Sequence, residues 1–511
     1  MTMLQNAPAL EQTFIQFLFY NRQKRNTLYL ATAAMVIQFV IFKYLYPFAS
    51  YIHGDSFNYI IAANQNLTIN KYPIGYSKFL RLVSVFAKPD LVLVGIQYLM
   101  IQCSTLFLLF TIFYFYKTHR VTQAFLFCFM VINPLFLHLA NMVSSDGLFL
   151  ALSTTWFALL LLIIHQPSNK IICWHAIVLF LAFTVRYNAL IYPFISALAF
   201  GLSKLSLRKK LAGLGLGLLL FGWFVGLSMF QYKKLTGYWQ YSPFSGWLLA
   251  NNAMYAYREV DSADRKPVPA KFQALDNKIR KFYDNYHILP GGAASTAYMW
   301  TASFPLRQYN DSLFKNDTSS IYLKKWASMG PFYSSYGWYI IKSYPIHFLH
   351  YYVWPNSLKY LIPPLEFLEE YNWGRTTVRK SAVRWFGYTN NQVKTRLKSG
   401  KAYILQPYPL LISITNLILF FMILSYLHLK GWRYDPSFNK SILLAGFAWI
   451  TNSGFIIFTC SAALRFEVFP ALLGIIFSSL LIDWMVKLMQ QMNLAHQPQK
   501  PDSQYSQNVS A

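Results

Sequence analysis

Four ionisable residues in this chain stand at the edges of long apolar runs, where a charge is costly and is therefore a candidate for function. Asp55 lies in Tyr51-Ile-His-Gly-Asp-Ser-Phe-Asn-Tyr59, just past the first apolar run, and Asp146 lies in Asn141-Met-Val-Ser-Ser-Asp-Gly147, at the start of another. Arg186 interrupts an apolar stretch in Thr184-Val-Arg-Tyr-Asn188, and Arg465 stands in Ser461-Ala-Ala-Leu-Arg-Phe-Glu467. A carboxylate within hydrogen-bond reach of a hydroxyl can take its proton as that oxygen attacks. A guanidinium can neutralise a phosphate or pair with a carboxylate. Proton abstraction beside a bound anion is the chemistry this set can perform.

Each residue also has a structural alternative. Gly54-Asp55 could open a juxtamembrane helix with the carboxylate accepting backbone N–H bonds, which would put Asp55 and Tyr59 on one face at i,i+4. Ser144-Ser145-Asp146 is a strong helix-start signal. Arg186 needs a partner, which could be Asp55 or Asp146, backbone carbonyls or a phosphate. Arg465 and Glu467 are two residues apart and do not face each other on a helix, so the alternative for Arg465 is an interfacial anchor. His347 and His350 are spaced i,i+3 but have no third ligand at a recognisable spacing, so an interfacial aromatic helix is expected there rather than a metal site. Lys342 and Lys359 flank that stretch and read as either phosphate-facing or solvated.

The composition sets the class. The 511 residues are 55% hydrophobic, 19% aromatic and only 12% charged, against about 25% charged in soluble domains. With the apolar residues gathered in long runs, this is an all-α polytopic membrane protein. In a soluble protein the net charge of +27 would suggest nucleic acid. Here it points to topology, anionic headgroups or a phosphate-bearing lipid, and no nucleic-acid partner is expected. The aromatic excess suits interfacial belts and sugar-stacking surfaces. Cys103, Cys128, Cys173 and Cys460 have no metal-ligand spacing and imply no disulfide framework; they read as small buried hydrophobes. No cleavable signal peptide is evident, and the first span reads as retained.

Ten spans are expected, at 27–49, 91–116, 121–138, 147–164, 171–185, 188–203, 211–231, 408–429, 441–460 and 467–488, judged against the roughly 20 apolar residues needed to cross about 30 Å of hydrocarbon. The spans 171–185 and 188–203 are short and flank Arg186. Both termini then share a side. Lys and Arg concentrate in the short loops of that side, at 22–25, 117–120, 170, 204–210 and 430–440, which makes it cytoplasmic. The opposite side receives the loop 50–90, the turns at 139–146, Arg186 and Arg465, and the segment 232–407. The candidate residues therefore all fall on the outer side, although they come from separate parts of the chain.

The chain divides into an N-terminal transmembrane module (1–231) with the outer loop 50–90, an extracytoplasmic segment (232–407), C-terminal spans (408–490) and a disordered polar tail (491–511). The segment 232–407 is aromatic-rich, with helix-like stretches near 319–330 and 335–354. It carries 23 Lys/Arg against 10 Asp/Glu on the side where the topology rule predicts no positive excess. A phosphate-bearing lipid at the outer leaflet would account for that charge. No internal repeat of 20–50 residues is evident.

Several stretches together resemble the GT-C superfamily of integral-membrane glycosyltransferases, notably the branch of the protein O-mannosyltransferases and the lipid A aminoarabinose transferase. In the first outer loop these are Asp55, Tyr59, Ala62 and Ala63, then Pro73-Ile-Gly-Tyr76 with Phe79 and Leu80. Further along are Asn133-Pro134 with Ser145-Asp-Gly-Leu-Phe149, Val185-Arg-Tyr-Asn188 with Pro193, Tyr339-Ile-Ile-Lys-Ser-Tyr-Pro345, and Leu464-Arg-Phe466 with Pro470. The likeness covers 50–200 well and 330–485 loosely, and its specificity lies in the order and sidedness of the stretches. Two departures stand out. Asp55 is followed by Ser56 where some relatives have paired acids, and 240–330 matches no named pattern.

The resemblance implies a GT-C-like bundle that transfers a sugar, hexose or pentose, with inversion, from a polyprenyl-phosphate donor to an acceptor hydroxyl on a glycan, lipid or protein. Asp55 would be the base. Arg186 and Arg465, with Lys342 and Lys359 behind them, would bind the donor phosphate. Asp146 would orient the acceptor or hold Arg186, and Tyr59 and Tyr76 would line the substrate. No cofactor is required on this reading, and a divalent metal has no residue pattern in its support. A bacterial inner membrane, with the site on its outer face, is the expected location. The alternatives are a lipid-linked glycan polymerase or ligase, a lipid or glycan transporter, which would predict inverted repeats and mid-membrane charges, and an inactive GT-C-like binding subunit.

Overall fold

The structure, a computed structural model, describes residues 13–285 and 295–495. The tail from 496 lies outside the described residues, whereas 491–495, expected in the tail, continue the last helix. Hydrocarbon offers backbone polar groups no partners, so spanning segments must satisfy their own N–H and C=O groups. The described residues accordingly form helices and no sheet, with a few isolated bridges such as Ser50 with Met142.

Eight of the described helices are long and apolar enough to cross a membrane: Arg22–Leu45, Asp90–Phe115, Arg120–Asn141, Ser145–His165, Leu207–Thr236, Tyr403–His428, Pro436–Thr459 and Leu464–Met492. The other two expected spans are the shorter apolar helices Asn169–Val185 and Tyr187–Leu202. The chain leaves the first at Arg186, whose extended backbone ends it, and re-enters through a 3₁₀ turn at Tyr187–Ile191. Local signals set the other starts. Ser144 accepts from Asp146 N, Ser168 from Ile171 N, and Asp435 from Ser437 N and Phe438 N, each satisfying N–H groups that a helix start leaves open.

The helix Ser145–His165 is apolar on all sides and occupies the centre of the bundle, as expected for a helix that exposes no face. Asp90–Phe115 and Asn169–Val185 flank it, and Trp156 on it stacks on Tyr192 at 3.9 Å. Successive helices alternate in direction, so two groups of loops collect at opposite ends of the bundle. At one end Tyr116 meets His165, and His119 meets Asp483; at the other Arg186 meets Asp146, and Arg465 meets Asp55.

The segment 232–407 splits between two cores. Residues from Tyr232 to Tyr352 build a core of their own around Trp247, Trp326, Tyr333 and Tyr336. Leu365, Leu368, Val378, Phe386, Val393 and Leu405 instead join the core of the transmembrane module. The helices Pro243–Tyr257 and Gly330–Ser343 of the first part approach so closely that a Cβ on Gly246 would lie 2.0 Å from the carbonyl oxygen of Gly330. The four cysteines are not the buried hydrophobes expected: Cys103, Cys128 and Cys173 are exposed, on outward faces of the bundle helices, and Cys460 is intermediate. Apolar faces that meet lipid carry the same residue types as a core, so composition does not separate the two.

Gly246→Val should force these two helices apart against backbone rather than a yielding side chain. A loss of about 1–3 kcal/mol is expected, read as a lower unfolding midpoint in detergent, whereas Gly215→Val, with open space around its Cβ position, should be nearly neutral.

Candidate active site

Asp55 opens the helix Asp55–Asn64, and among the described hydrogen bonds its carboxylate is engaged by Tyr72 and Arg465 rather than by backbone N–H groups. The capping alternative therefore does not describe it. The local turn is held instead by Ser56, whose Oγ accepts from Ile52 N at 2.8 Å, and by Asn58, which donates to Gly54 O at 2.7 Å. The freed carboxylate accepts from the Tyr72 hydroxyl at 2.7 Å and lies 3.4 Å from Arg465 Nη1.

Arg465 is the meeting point. The same Nη1 lies 3.5 Å from Asp146 Oδ2, and its Nε lies 3.5 Å from Glu366 Oε2. Asp146 is buried; it pairs through Oδ1 with Arg186 and accepts from Ser144 Oγ at 2.7 Å. Phe466 lies against both guanidinium groups, 4.8 Å from that of Arg186 and 4.4 Å from that of Arg465, and Phe367 lies 4.8 Å from Arg465. Flat guanidinium groups stack on such rings while their edges stay open to oxygen ligands. The three carboxylate contacts of Arg465 are longer than the roughly 2.7–2.9 Å of a charge-assisted hydrogen bond. Charge holds the group in place while its N–H donors are not engaged at full strength.

Of the other expected residues, Lys359 belongs to this cluster: it is half-buried, its Nζ lies 3.5 Å from Ser461 Oγ, and burial lowers its ammonium below the ordinary lysine value while Glu366 acts in the opposite direction. Tyr59 packs behind Asp55, with its hydroxyl 3.2 Å from Ser145 Oγ. Tyr76 is fully buried, packs on the Tyr59 ring and donates to Gln97 Oε1 at 2.9 Å; it supports the site from behind and does not line it. Lys342 is elsewhere, exposed, with its ammonium 6.0 Å from the Trp338 ring. The histidines face aromatic rings, His347 those of Tyr344 and Tyr351 and His350 that of Tyr351. Among the described residues no group of three or more His, Cys, Asp or Glu is placed to hold a metal ion.

No protein-family model, no curated protein and no solved structure matches this chain.

Three participants are absent from the sequence expectations. Glu366 follows Pro363-Pro364 in a loop, and its backbone has φ +53°, a left-handed conformation that a non-glycine residue adopts at a cost. Burial pushes its carboxyl above the ordinary carboxylate range, and Arg465 and Lys359 offset part of that rise. Tyr72 is a phenol whose ionisation is opposed first by burial and then by the Asp55 charge, which keeps it a proton donor to Asp55. Lys71 is buried under the rings of Tyr322, Trp300 and Trp326, at 4.1, 5.3 and 5.4 Å. Burial, with Arg307 adding to it, lowers its ammonium to about 7, while Asp55 acts in the opposite direction. No described ion pair includes Lys71. The sequence signals for these three are slight: an acid after two prolines, and an Asn-Lys-Tyr triplet in an otherwise apolar and amide-rich loop.

The raised Glu366 carboxyl carries a pH dependence. Between its ordinary value of 4.5 and its folded value, the native state holds a proton that the unfolded chain has lost. Its contribution to stability is greatest below the ordinary value and declines as pH rises through the folded one. Glu366→Gln should flatten that decline in a plot of unfolding midpoint against pH, and an unchanged slope would show that another group causes it.

Proposed function

We propose that the cluster around Arg465 is the active site of a membrane glycosyltransferase that moves a sugar from a polyprenyl-phosphate donor to an acceptor hydroxyl. One observation carries the proposal: a partly exposed carboxylate, Asp55, adjoins two ring-backed guanidinium groups and a buried lysine, Lys71, that is in no described ion pair, at one end of a transmembrane bundle. The order of the sequence stretches quoted for the GT-C resemblance gives it independent support.

The chemistry follows from the charges. Asp55 takes the proton of the acceptor hydroxyl as its oxygen attacks the anomeric carbon. The new C–O bond forms on the face opposite the donor phosphate, the bond from the anomeric carbon to the phosphate oxygen breaks, and its electron pair leaves with the polyprenyl phosphate. Configuration inverts. Negative charge grows on the departing phosphate, and fixed cations that are already in place stabilise it without reorganising. The acids Asp55, Asp146 and Glu366 are balanced by Arg186, Arg465 and Lys359, so an entering phosphate needs a further cation. Lys71 is the nearest candidate: an anion beside it would raise its affinity for the proton and fix its charge. Tyr72 orients Asp55, and Asp146 holds Arg186. The surrounding tryptophans and tyrosines offer faces on which a sugar ring can stack. A bacterial inner membrane, with this end of the bundle on its outer side, remains the proposed setting.

The test is a transfer assay on purified protein with polyprenyl-phosphate sugars. The wild-type protein should transfer sugar. Asp55→Asn should lose about 10²–10⁴-fold in rate, the range for a general base, while remaining folded, with a lower unfolding midpoint, and still binding the donor. Full activity in Asp55→Asn would remove the base from the mechanism.

A further inference from the structure

The most basic part of the chain lies beside the candidate site rather than in it. No acid occurs between Glu370 and Asp435, and within the first half of that stretch come Arg375, Arg379, Lys380, Arg384, Lys394, Arg396, Lys398 and Lys401. All eight side chains are exposed, and none takes part in a described ion pair. Arg375 meets His53, and Arg379 and Arg396 lie over the rings of Phe57 and Tyr44 at 5.0 and 4.4 Å.

This stretch is a folded element. Val378, Ala382, Phe386, Val393, Ala402 and Leu405 are buried in the transmembrane core. Backbone bonds close it on itself, Val378 N to Asn391 O at 2.9 Å and Val393 N to Thr376 O at 2.8 Å. Its depth is fixed as well. Arg396 N and Thr395 Oγ1 both donate to Leu45 O at 2.9 Å, and Leu45 is the last residue of the first membrane-crossing helix. Its far end runs directly into another, through the exposed Tyr403 and Ile404. Arg396, Lys398 and Lys401, at and between these anchors, therefore sit at the level where hydrocarbon gives way to headgroups, and the other five cations belong to the same folded element.

We propose that Gly374–Lys401 is a docking surface for the anionic phospholipid headgroups of the leaflet at this end of the bundle. Three points favour lipid phosphate over a soluble polyanion: the depth set by Leu45, the exposed aromatic and aliphatic side chains on its margin, and eight cations with no acid among them. A headgroup phosphate at this level gains from each nearby Lys or Arg, by roughly fivefold per residue within a Debye length. The proposal stands whether or not the neighbouring cluster transfers sugars.

The test uses the full chain in phosphatidylcholine bilayers, with spin-labelled phosphatidylglycerol and phosphatidylcholine reporting the lipids at its surface. The wild-type protein should select phosphatidylglycerol several-fold, and the preference should shrink as salt is raised. Lys380→Gln, Arg384→Gln, Lys394→Gln and Lys398→Gln combined should bring the preference close to unity. The charge-preserving set Lys380→Arg, Arg384→Lys, Lys394→Arg and Lys398→Arg should keep it. A wild-type protein without preference, or a glutamine variant that keeps it in full, would overturn the proposal. So would binding of soluble polyphosphate without any preference for phosphatidylglycerol, which would assign the surface to a soluble polyanion.

Discussion

A single guanidinium, that of Arg465, faces carboxylates from three separate parts of the chain: Asp55 after the first span, Asp146 at the start of the central helix and Glu366 in the late loop. Removing one partner from such a buried group leaves an uncompensated charge, which costs about 3–5 kcal/mol. The contact therefore constrains how every element that carries one of its members is placed. Asp146 passes the constraint on to Arg186, and so to the break between the two shortest apolar helices. Phe466 packs against both guanidinium groups, so one ring ties Arg186 to Arg465.

The surroundings give the cluster a direction. Behind it stand Tyr59, whose hydroxyl meets Ser145 Oγ, and Tyr76, which donates to Gln97, itself a donor to the Ala140 carbonyl. Asp55 and Glu366 keep part of their surface open, and Lys71 stands under its three rings on the side of the segment 232–353. A ligand whose tail remains in hydrocarbon and whose charged head reaches the bundle end would meet these groups, with the basic element Gly374–Lys401 beside it.

What the sequence shows of this depends on where each charge falls. Asp55, Asp146, Arg186 and Arg465 are legible because a charge at the edge of an apolar run needs a reason, and the alternation of spans puts all four at one end. Glu366, Lys71 and Tyr72 lie in loops where charged and phenolic residues are ordinary, so burial and partners, which only folding supplies, distinguish them. The same limit explains Lys342, which in sequence looks like Lys359 but is exposed against Trp338. A helix cap is the structural alternative that Gly54-Asp55 offers in sequence; the carboxylate meets Tyr72 and Arg465 while Ser56 and Asn58 hold the local turn. The helices themselves are legible from apolar run length, and the two shortest runs are the two that fall below the length of the others.

The central claim is that this one cluster receives the phosphate of a lipid-linked sugar. An experimental structure of the protein with polyprenyl phosphate bound tests it most directly. The account predicts phosphate oxygens within hydrogen-bonding distance of Arg186, Arg465 or Lys71, with Asp55 facing the adjoining space. A polyprenyl phosphate headgroup seated elsewhere on the bundle, with the Arg465 contacts to Asp55, Asp146 and Glu366 intact, would contradict it.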